Sequence, residues 1–252
     1  MTIFWMRWFK PLLLCFALGP PGVLSHSYTS DNAPLTLVTE ELHGFQEAEN
    51  GRLTGGKIGT VMLDALERLD IKTQVQVLPW SRAYKMAQSR PNVLIFSLVR
   101  TPQREDAFIW IKHLLTLPTF AFAAEQSKLK NINTLEALKT HVISVKRHDV
   151  AHELLLQQGF VEGVNLAVAG TNQAALSMLL QGHVEIHPMS FFHLQNECKL
   201  LKCDPLRFQR LFEIPELRQE FYLASSKGTK SSTIQAFKQT LDTLLDSHHP
   251  PR

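Results

Sequence analysis

Short apolar runs alternate with segments of helical periodicity along most of the chain. Residues 35–38 (LTLV) and 75–78 predict strands, and between them apolar residues recur at helical spacing over 58–69. Residues 92–99 (NVLIFSLV) are nearly continuous in apolar side chains, which is typical of a strand buried on both faces. This alternation predicts an α/β fold with mainly parallel strands.

The same alternation restarts after Pro118. The strands of this second part are predicted at 119–123, 141–145, 166–169 and 183–190. Its helices, each preceded by a polar residue that can cap it, are predicted at 134–139, 150–158 and 173–181. A last strand and an amphipathic helix are predicted at 221–225 and 234–244. Because the second part has its own apolar faces and helix signals, it predicts a second domain.

The first 27 residues have the pattern of a secretory signal peptide. Arg7 and Lys10 give a positive start, 12–18 (LLLCFAL) form a short apolar core, and small residues at Ser25 and Ser27 allow cleavage. The apolar core is well short of the roughly 20 residues that span a bilayer. We therefore expect a cleaved leader at 1–27 and a periplasmic mature chain, with a retained anchor or a buried N-terminal helix as the alternatives.

The charge of the chain gives no indication of a polyanionic partner. Removing Arg7 and Lys10 from the 26 basic residues leaves 24, against 23 acidic residues. A nearly neutral mature chain has no electrostatic footprint for nucleic acid or for an anionic membrane surface. We expect a monomer that has no nucleic-acid partner.

Of the three cysteines, Cys15 lies in the leader. Cys198 and Cys203 remain, with four residues between them. In an oxidising compartment an even pair at this separation favours a local disulfide. Two free thiols are the alternative, whereas a metal site with two thiols would need further ligands, and the sequence has no second pair of this kind.

Two histidine pairs raise the question of a metal site. His148 and His152 are four apart on a predicted helix, a spacing that can chelate zinc, but no HExxH motif is present. His183 and His187 are four apart in a predicted strand, where they would be separated by about 13 Å. We expect no metal and no cofactor. The sequence also lacks a nucleophile elbow, a phosphate loop, a Rossmann glycine pattern and a Cys/His catalytic signature, so we expect a protein that is not an enzyme.

Five segments carry a resemblance to a known family: 50–71 (NGRLTGGKIGTVMLDALERLDI), 79–88 (PWSRAYKMAQ), 92–106 (NVLIFSLVRTPQRED), 179–185 (LLQGHVE) and 221–228 (FYLASSKG). On these segments the chain resembles family 3 of the bacterial periplasmic solute-binding proteins, which includes the amino-acid receptors of ABC importers. The resemblance implies the two-lobed, type II periplasmic-binding-protein fold with a ligand cleft between the lobes. Residues 28–118 plus 219–252 would form lobe 1, and 119–218 would form lobe 2.

The resemblance also implies where a ligand would bind. Thr101 and Arg104 match the T-x-x-R motif whose Arg holds the ligand carboxylate in amino-acid receptors of this family. A guanidinium suits this task because its planar fork donates two parallel hydrogen bonds. A surface Arg at a helix start is the alternative for Arg104. Arg82 and Arg100, if they reach the same cleft, would favour an anionic ligand, but either could equally be solvated or bridge the lobes.

Further cleft positions follow from the same resemblance. Ser97 and Val99 match positions where the family lines the cleft with groups at a strand end. Phe45 falls where the family carries a ring that covers the ligand. Trp80 and Trp110 could stack on a ligand, but core packing is the more common role of a buried aromatic side chain.

The second lobe departs from the amino-acid pattern of the family. His148 and Asp149 stand where the family has Gly-Thr or Gly-Ser at a helix start. Backbone N–H groups there could still meet an anion, while Asp149 would serve as the helix cap. Ser190 aligns with the Asp that holds the ligand ammonium, so the loss of that charge argues against a free α-amino acid as the ligand.

We therefore expect a periplasmic solute-binding protein that captures a small anionic or amino-acid-like ligand for an ABC-type importer. An enzyme on the same fold is one alternative, since periplasmic cyclohexadienyl dehydratases resemble these receptors and fold alone does not separate the two. Glu40 and Glu41 would be the nearest acids in lobe 1 for such chemistry. A sensor that reports its occupied state to a membrane partner is the other alternative.

Overall fold

A computed structural model describes residues 34–248, with side chains described to residue 246. The signal peptide predicted at 1–27 lies outside these residues. Within 34–248, no helix is both long and apolar enough to cross a membrane. The described chain alternates between strands and helices, as its apolar pattern predicts.

The strands are arranged in two sheets. In chain order they are β1 (Thr36–Thr39), β2 (Glu47–Glu49), β3 (Arg52–Gly55), β4 (Val75–Val77), β5 (Val93–Val99), β6 (Ile109–Leu117), β7 (Phe120–Ala124), β8 (Ile143–Lys146), β9 (Leu166–Ala169), β10 (Ile186–Met189), β11 (Phe208–Glu213) and β12 (Gln219–Ser225). The α-helices are α1 (Lys57–Arg68), α2 (Trp80–Ser89), α3 (Val150–Gln157), α4 (Asn172–Leu180), α5 (Phe191–Leu201) and α6 (Ser231–His248).

The first lobe is built on a seven-stranded sheet with the order β2-β3-β4-β1-β5-β12-β6. All seven residues of β5 are buried, as its apolar sequence predicts. Helices α1 and α6 pack together over one face of the sheet, and α2 covers the other. The side chains of β5 point to both faces of the sheet. Leu94 and Phe96 pack with α1 on one face, whereas Ile95 and Leu98 pack with α2 on the other.

The second lobe is built on a five-stranded sheet with the order β11-β7-β10-β8-β9. Apolar residues of α3 pack with Ile143 and Val145 of β8 on one face. Those of α4 and α5 pack with Phe122 of β7 and Met189 of β10 on the other. Each sheet therefore lies between helices, which is the layered α/β architecture that the sequence predicts.

The expectation of mainly parallel strands is wrong. β1 pairs in parallel with β4 and β5, and β8 with β9 and β10, but the other pairings in the described sheets are antiparallel. Two features give the antiparallel pairs: β3 pairs antiparallel with its neighbours β2 and β4, and the chain passes between the lobes twice, from β6 to β7 and from β11 to β12. These crossings run side by side in opposite directions, and the Ile214 N–H donates to the Thr119 carbonyl at 2.8 Å where they meet.

One segment predicted as a helix forms a short 3₁₀ helix. The segment predicted as a helix at 134–139 forms a 3₁₀ helix at Glu136–Thr140. The Thr134 hydroxyl accepts from the Ala137 N–H at 3.2 Å, so a polar side chain does support its start. The segment ends as the chain becomes extended at His141, before an α-helix has room to develop.

Cys198 and Cys203 form the predicted disulfide. Cys198 is buried in the last turns of α5, and Lys202 ends the helix with a φ of 53°, in the left-handed region. The Cys203 N–H then donates to the Cys198 carbonyl at 3.0 Å. The disulfide therefore ties the C-terminal end of α5 to the loop that follows it.

Candidate functional site

The carboxyl ends of strands from both sheets face one cleft between the lobes. Glu40 follows β1, Val99 ends β5 and Lys146 ends β8. Together with Trp80 and Arg104, they line a space of about 30 Å³, which we call the inner cavity. A space of this size holds little more than a water molecule, so the lobes are closed on each other. Ligands of open α/β sheets bind at this edge.

Arg104 is buried between the lobes, with 1% of its surface exposed. Its Nη2 donates to both carboxylate oxygens of Glu153, on α3, at 2.9 and 2.8 Å. The guanidinium also lies 3.4 Å from the carbonyl oxygens of Val99 and His148, and 4.9 Å from the ring centre of Tyr84. The alternative of a surface Arg at this position is therefore wrong, but a protein carboxylate already neutralises the charge that was expected to meet a ligand.

A second ion pair, between Lys146 and Glu40, crosses the cleft. The Lys146 Nζ lies 2.6 and 2.8 Å from the two oxygens of Glu40. Burial acts to lower the pKa of Lys146, but attraction to Glu40 and Asp149 outweighs it, so the pKa of the ammonium is raised. Burial raises the pKa of the Glu40 carboxyl against the pull of Lys146. Sequence reasoning missed Lys146, although its place at the end of a predicted strand was an available signal.

Trp80 and His148 make a third contact between the lobes. The Trp80 Nε1 donates to the His148 carbonyl at 2.8 Å. His148 has a φ of 57°, in the left-handed region, and its own N–H donates to His152 Nδ1 at 3.1 Å. Asp149 caps α3, as expected. The backbone at His148 therefore binds the first lobe through its carbonyl. Its N–H was a candidate donor to an anion, but it is already used by His152.

Ser97 and Val99 line the inner cavity on the side of the first lobe. The Ser97 hydroxyl donates to Gln46 Oε1 at 3.0 Å, and Gln46 Nε2 donates to the Thr39 hydroxyl at 3.2 Å. Thr39 in turn donates to the Phe96 carbonyl at 3.1 Å. This chain of buried hydrogen bonds fixes the wall of the cavity.

Phe45 does not cover the inner cavity, and the Ser190 hydroxyl serves as a helix cap. Phe45 is buried behind the cleft, with its ring centre 4.3 Å from that of Phe192 and 5.2 Å from that of His193, and it does not line the inner cavity. Its apolar contacts join the two lobes away from the inner cavity. Ser190 caps α5 by accepting from the His193 N–H at 3.1 Å, so the helix already uses its hydroxyl.

Arg82 and Arg100 lie outside the inner cavity. Arg82 is exposed on α2. Arg100 pairs with Glu105 and lies against the rings of Trp110 and Tyr222, at 5.3 and 5.4 Å. The three arginines therefore do not form one anion site, because helical geometry turns Arg82 to solvent and a neighbouring carboxylate holds Arg100. Trp110 packs against its neighbours in the first lobe, which was the alternative to stacking on a ligand.

His187 and His193 are buried, neutral groups next to the cleft. Burial lowers the pKa of His187 to about 4 and that of His193 to about 3. The Nδ1–H of His187 donates to the Ser144 carbonyl at 3.0 Å. His193 lines the inner cavity, and its Nε2 has no hydrogen-bond partner among residues 34–248.

A larger space of about 380 Å³, which we call the outer pocket, adjoins the inner cavity and is also formed by both lobes. Glu40, Glu41 and His43 line it from the first lobe, and Asn172 and Glu197 line it from the second. This volume is within the range of roughly 300–1,000 Å³ that small-molecule sites occupy. Sequence reasoning did not single out Glu197.

Comparison with known proteins identifies the fold. No family model and no curated protein matches this sequence. The chain is similar to a histidine kinase sensor domain with similarity to periplasmic binding proteins, at a TM-score of 0.73 and 15% identity over 85% of this chain and 91% of that one. It is also similar to an ancestral arginine-binding protein bound to arginine, at 0.68 and 16% over 85% and 93% of the chains.

A third similar structure is ArtJ, an arginine-, lysine- and histidine-binding protein from Geobacillus stearothermophilus, at a TM-score of 0.66 and 15% identity over 85% of this chain and 90% of that one. Likeness at such low identity establishes architecture and leaves chemistry to the site. Both the strand arrangement and these similarities agree with the expected fold. The chain therefore has the two-lobed α/β fold of type II periplasmic binding proteins.

Proposed function

We propose that the protein is a periplasmic solute-binding protein that holds a small solute between its lobes and presents it to a membrane partner, an ABC-type importer. The observation that carries this proposal is that two ion pairs, Arg104 with Glu153 and Lys146 with Glu40, join the lobes at the carboxyl ends of the strands, each through a buried cation. The proposal includes a leader at 1–27, lobe 1 at 28–118 plus 219–252, and lobe 2 at 119–218.

Charge exchange gives a solute a route into the closed cleft. The carboxylate of a solute can replace that of Glu153 at Arg104, so the buried guanidinium keeps a partner throughout. Such an exchange avoids the penalty of several kcal/mol for a buried charge left alone. A small amino-acid-like solute with a carboxylate fits this role, and the presence of arginine-binding proteins and a substrate-binding protein of an amino acid ABC transporter among the similar structures supports it.

A ligand screen on residues 28–252 tests the proposal. Amino acids, small carboxylates, amines and short peptides would be compared by the rise in unfolding temperature, and those that raise it would be studied by calorimetry. We expect one class of solute to bind, and Arg104→Ala to weaken its binding by about 2–5 kcal/mol because a buried charged pair is broken. Arg104→Lys should recover only part of the loss, since an ammonium lacks the planar fork.

Arg82→Ala is the matched control, because Arg82 is an exposed arginine of the same lobe. It should bind the solute as the wild type does. The proposal fails if no solute binds, or if Arg104→Ala binds as tightly as the wild type. Recovery of the bound solute unchanged after long incubation would separate a binding protein from an enzyme on the same fold.

A sensor role is the second candidate, and the similarity to a histidine kinase sensor domain favours it. In both roles the occupied, closed form would be recognised by a membrane protein. A deletion strain separates them, because loss of an importer subunit abolishes uptake of the labelled solute. Loss of a sensor subunit would instead leave uptake intact and abolish the transcriptional response to that solute.

A further inference from the structure

The lining of the outer pocket is acidic. Glu41 contributes a carboxylate from the first lobe and Glu197 contributes one from α5, whereas Glu40 in the same lining is already paired with Lys146. No lysine or arginine belongs to this lining among the described residues, so His43 is the one side chain there that can take a positive charge. Carboxylates gathered in a cleft attract cations and repel anions.

Glu197 is the side chain that points to a ligand. It is 4% exposed, and its Oε2 is buried without a hydrogen-bond partner among residues 34–248. Burial raises the pKa of this carboxyl, against the attraction of His43 and Lys146. A buried carboxylate with an unpaired oxygen is unfavourable, and a cation bound in the pocket would supply the missing partner.

The position of Glu197 is fixed by the packing of α5 against the first lobe. A Cβ on Gly44 would lie 2.7 Å from Asn196 Nδ2, so the helix and the turn at Gly44 approach each other as closely as glycine allows. One residue further along, Cys198 is held by the disulfide. A carboxylate held in this way loses little conformational freedom when it binds a ligand, which favours affinity.

We propose that the outer pocket binds the amine or guanidinium group of a small organic cation, with Glu197 as its anchor. The inference rests on the proposed solute-binding function and names one chemical group of the solute. Ammonium and guanidinium groups donate charge-assisted hydrogen bonds to carboxylates, and Glu41 and Asn172 offer further acceptors in the same lining. The cationic group thus enters a pocket where no lysine or arginine of the described lining opposes it.

Matched probes test the charge requirement on residues 28–252. L-Arginine would be compared with L-citrulline, which replaces the guanidinium by an uncharged urea group, and 1,4-diaminobutane with 1,4-butanediol. L-Glutamate and succinate complete the panel as anions. We expect at least one of the cations to raise the unfolding temperature and to bind in calorimetry, and its uncharged counterpart to do neither.

Glu197→Gln keeps the size of the side chain and removes its charge. The affinity for the cation should fall about 10- to 100-fold, which is the loss of a charged hydrogen bond. Glu67→Gln, at an exposed position of α1 outside both cavities, should bind as the wild type does. Because the Glu197 variant removes a buried charge and keeps the size of the side chain, its unfolding temperature without ligand should not fall, so lost binding is distinguishable from lost folding.

Four results would overturn the inference. Binding of anions or uncharged solutes alone, or cation binding that Glu197→Gln leaves unchanged, refutes the cation pocket and leaves the solute-binding function intact. Failure of every probe and of the wider ligand screen refutes both. A response to zinc or manganese chloride in place of the organic cations would assign the acidic groups to a metal, for which Glu41, His43 and Glu47 bring ligand atoms within 4.8 Å of one another.

Discussion

Two buried cations, Arg104 and Lys146, are each held by a carboxylate from the opposite lobe. Loss of either carboxylate would leave a buried cation that water reaches poorly. Opening of the cleft would hydrate both members of each pair at once. The two pairs therefore favour closure without making it irreversible, which suits a site that must release what it holds.

Glu40→Gln tests the buried pair with Lys146, whose side chain is 5% exposed. We expect the free energy of unfolding to fall by about 3–5 kcal/mol, the range for a buried charge that loses its partner. The double variant Glu40→Gln/Lys146→Met should recover most of this loss, because both charges are then absent. Urea denaturation provides the measurement.

The matched control is Glu136→Gln, which breaks an exposed pair with Lys139. It should lower the free energy of unfolding by less than about 1 kcal/mol. Equal losses in the two variants would show that burial between the lobes adds nothing to the Lys146 pair.

His187 gives the molecule a predicted pH dependence. Its folded pKa of about 4 lies below the ordinary value of 6.5, so between these values the unfolded chain binds more protons. The free energy of unfolding should therefore fall as pH drops from 6.5 towards 4, by up to about 1.4 kcal/mol per pH unit for each such histidine. His193, with a folded pKa of about 3, acts in the same direction.

His187→Asn should reduce this slope by about half, since it removes one of two such groups. Urea denaturation at pH 6.5, 5.5 and 4.5 measures the slope for the wild type and the variant. His183→Asn, at an exposed position, is the control and should leave the slope unchanged. An unchanged slope in His187→Asn would mean that His187 does not titrate as its burial implies.

At the scale of elements, apolar patterning predicts those parts whose buried side chains are mostly apolar. β5 is such a case, since a nearly continuous apolar run matches a strand buried throughout. α5 was not predicted, because its buried face includes His193, Asn196 and Glu197, which break the apolar periodicity. These polar residues lie against the cleft, so the pattern fails where the candidate site is built.

The candidate site was predictable only in part for a related reason. Arg104 was found from a local motif, and its place in the cleft agrees with that motif. Glu153 and Lys146 were not found. Each pairs with a residue of the first lobe, so the pairing depends on how the two lobes approach each other. Burial of Arg104 and Lys146 follows from the packing of one lobe on the other, which no short segment of sequence encodes.

The turn before α1 requires glycine at position 56. Gly56 has a φ of 90°, and a Cβ there would lie 2.5 Å from the Phe45 carbonyl oxygen. Gly56→Ala should lower the free energy of unfolding by more than about 2 kcal/mol, since steric overlap adds to the cost of a positive φ. Gly163→Ala, with a φ of 77° and no atom within 4 Å of the added Cβ, should lose about 1 kcal/mol.

Chemical denaturation of the two glycine variants provides this comparison. Both variants carry the cost of a positive φ at an alanine. The difference between their free energies of unfolding therefore measures the steric overlap with Phe45. If both variants lose the same free energy, the turn before α1 adapts to the added methyl group, and the close approach to Phe45 is not what selects glycine.

At the scale of the whole molecule, polar contacts close the cleft while the two chain crossings connect the lobes. Beside the ion pairs, Gln103 Nε2 donates to Gln157 Oε1 at 3.2 Å between the lobes. Contacts of this kind exchange readily with water, so we expect an opening motion about the crossings near Thr119 and Ile214.

Trp80 can report this opening. Trp110→Phe leaves Trp80 as the single tryptophan of residues 28–252, and its indole N–H is bonded to the His148 carbonyl across the cleft. Adding Glu153→Gln to this variant should weaken closure, shift the emission of Trp80 to longer wavelength and increase its quenching by iodide. Adding Glu125→Gln instead, at an exposed position, should change neither. Identical spectra in all three proteins would show that Glu153 does not hold the lobes together.

The place of β12 between β5 and β6 has a consequence for the order of folding. All strands of the five-stranded sheet come from one continuous stretch of chain, so that sheet can assemble early. Val99 of β5, by contrast, pairs with Phe221 of β12, and pairings so distant in sequence form slowly. Until residues 219–225 arrive, β5 presents an unpaired apolar edge, which is the kind of surface on which folding intermediates aggregate. A chain interrupted before this strand would therefore be left with its longest fully buried strand exposed.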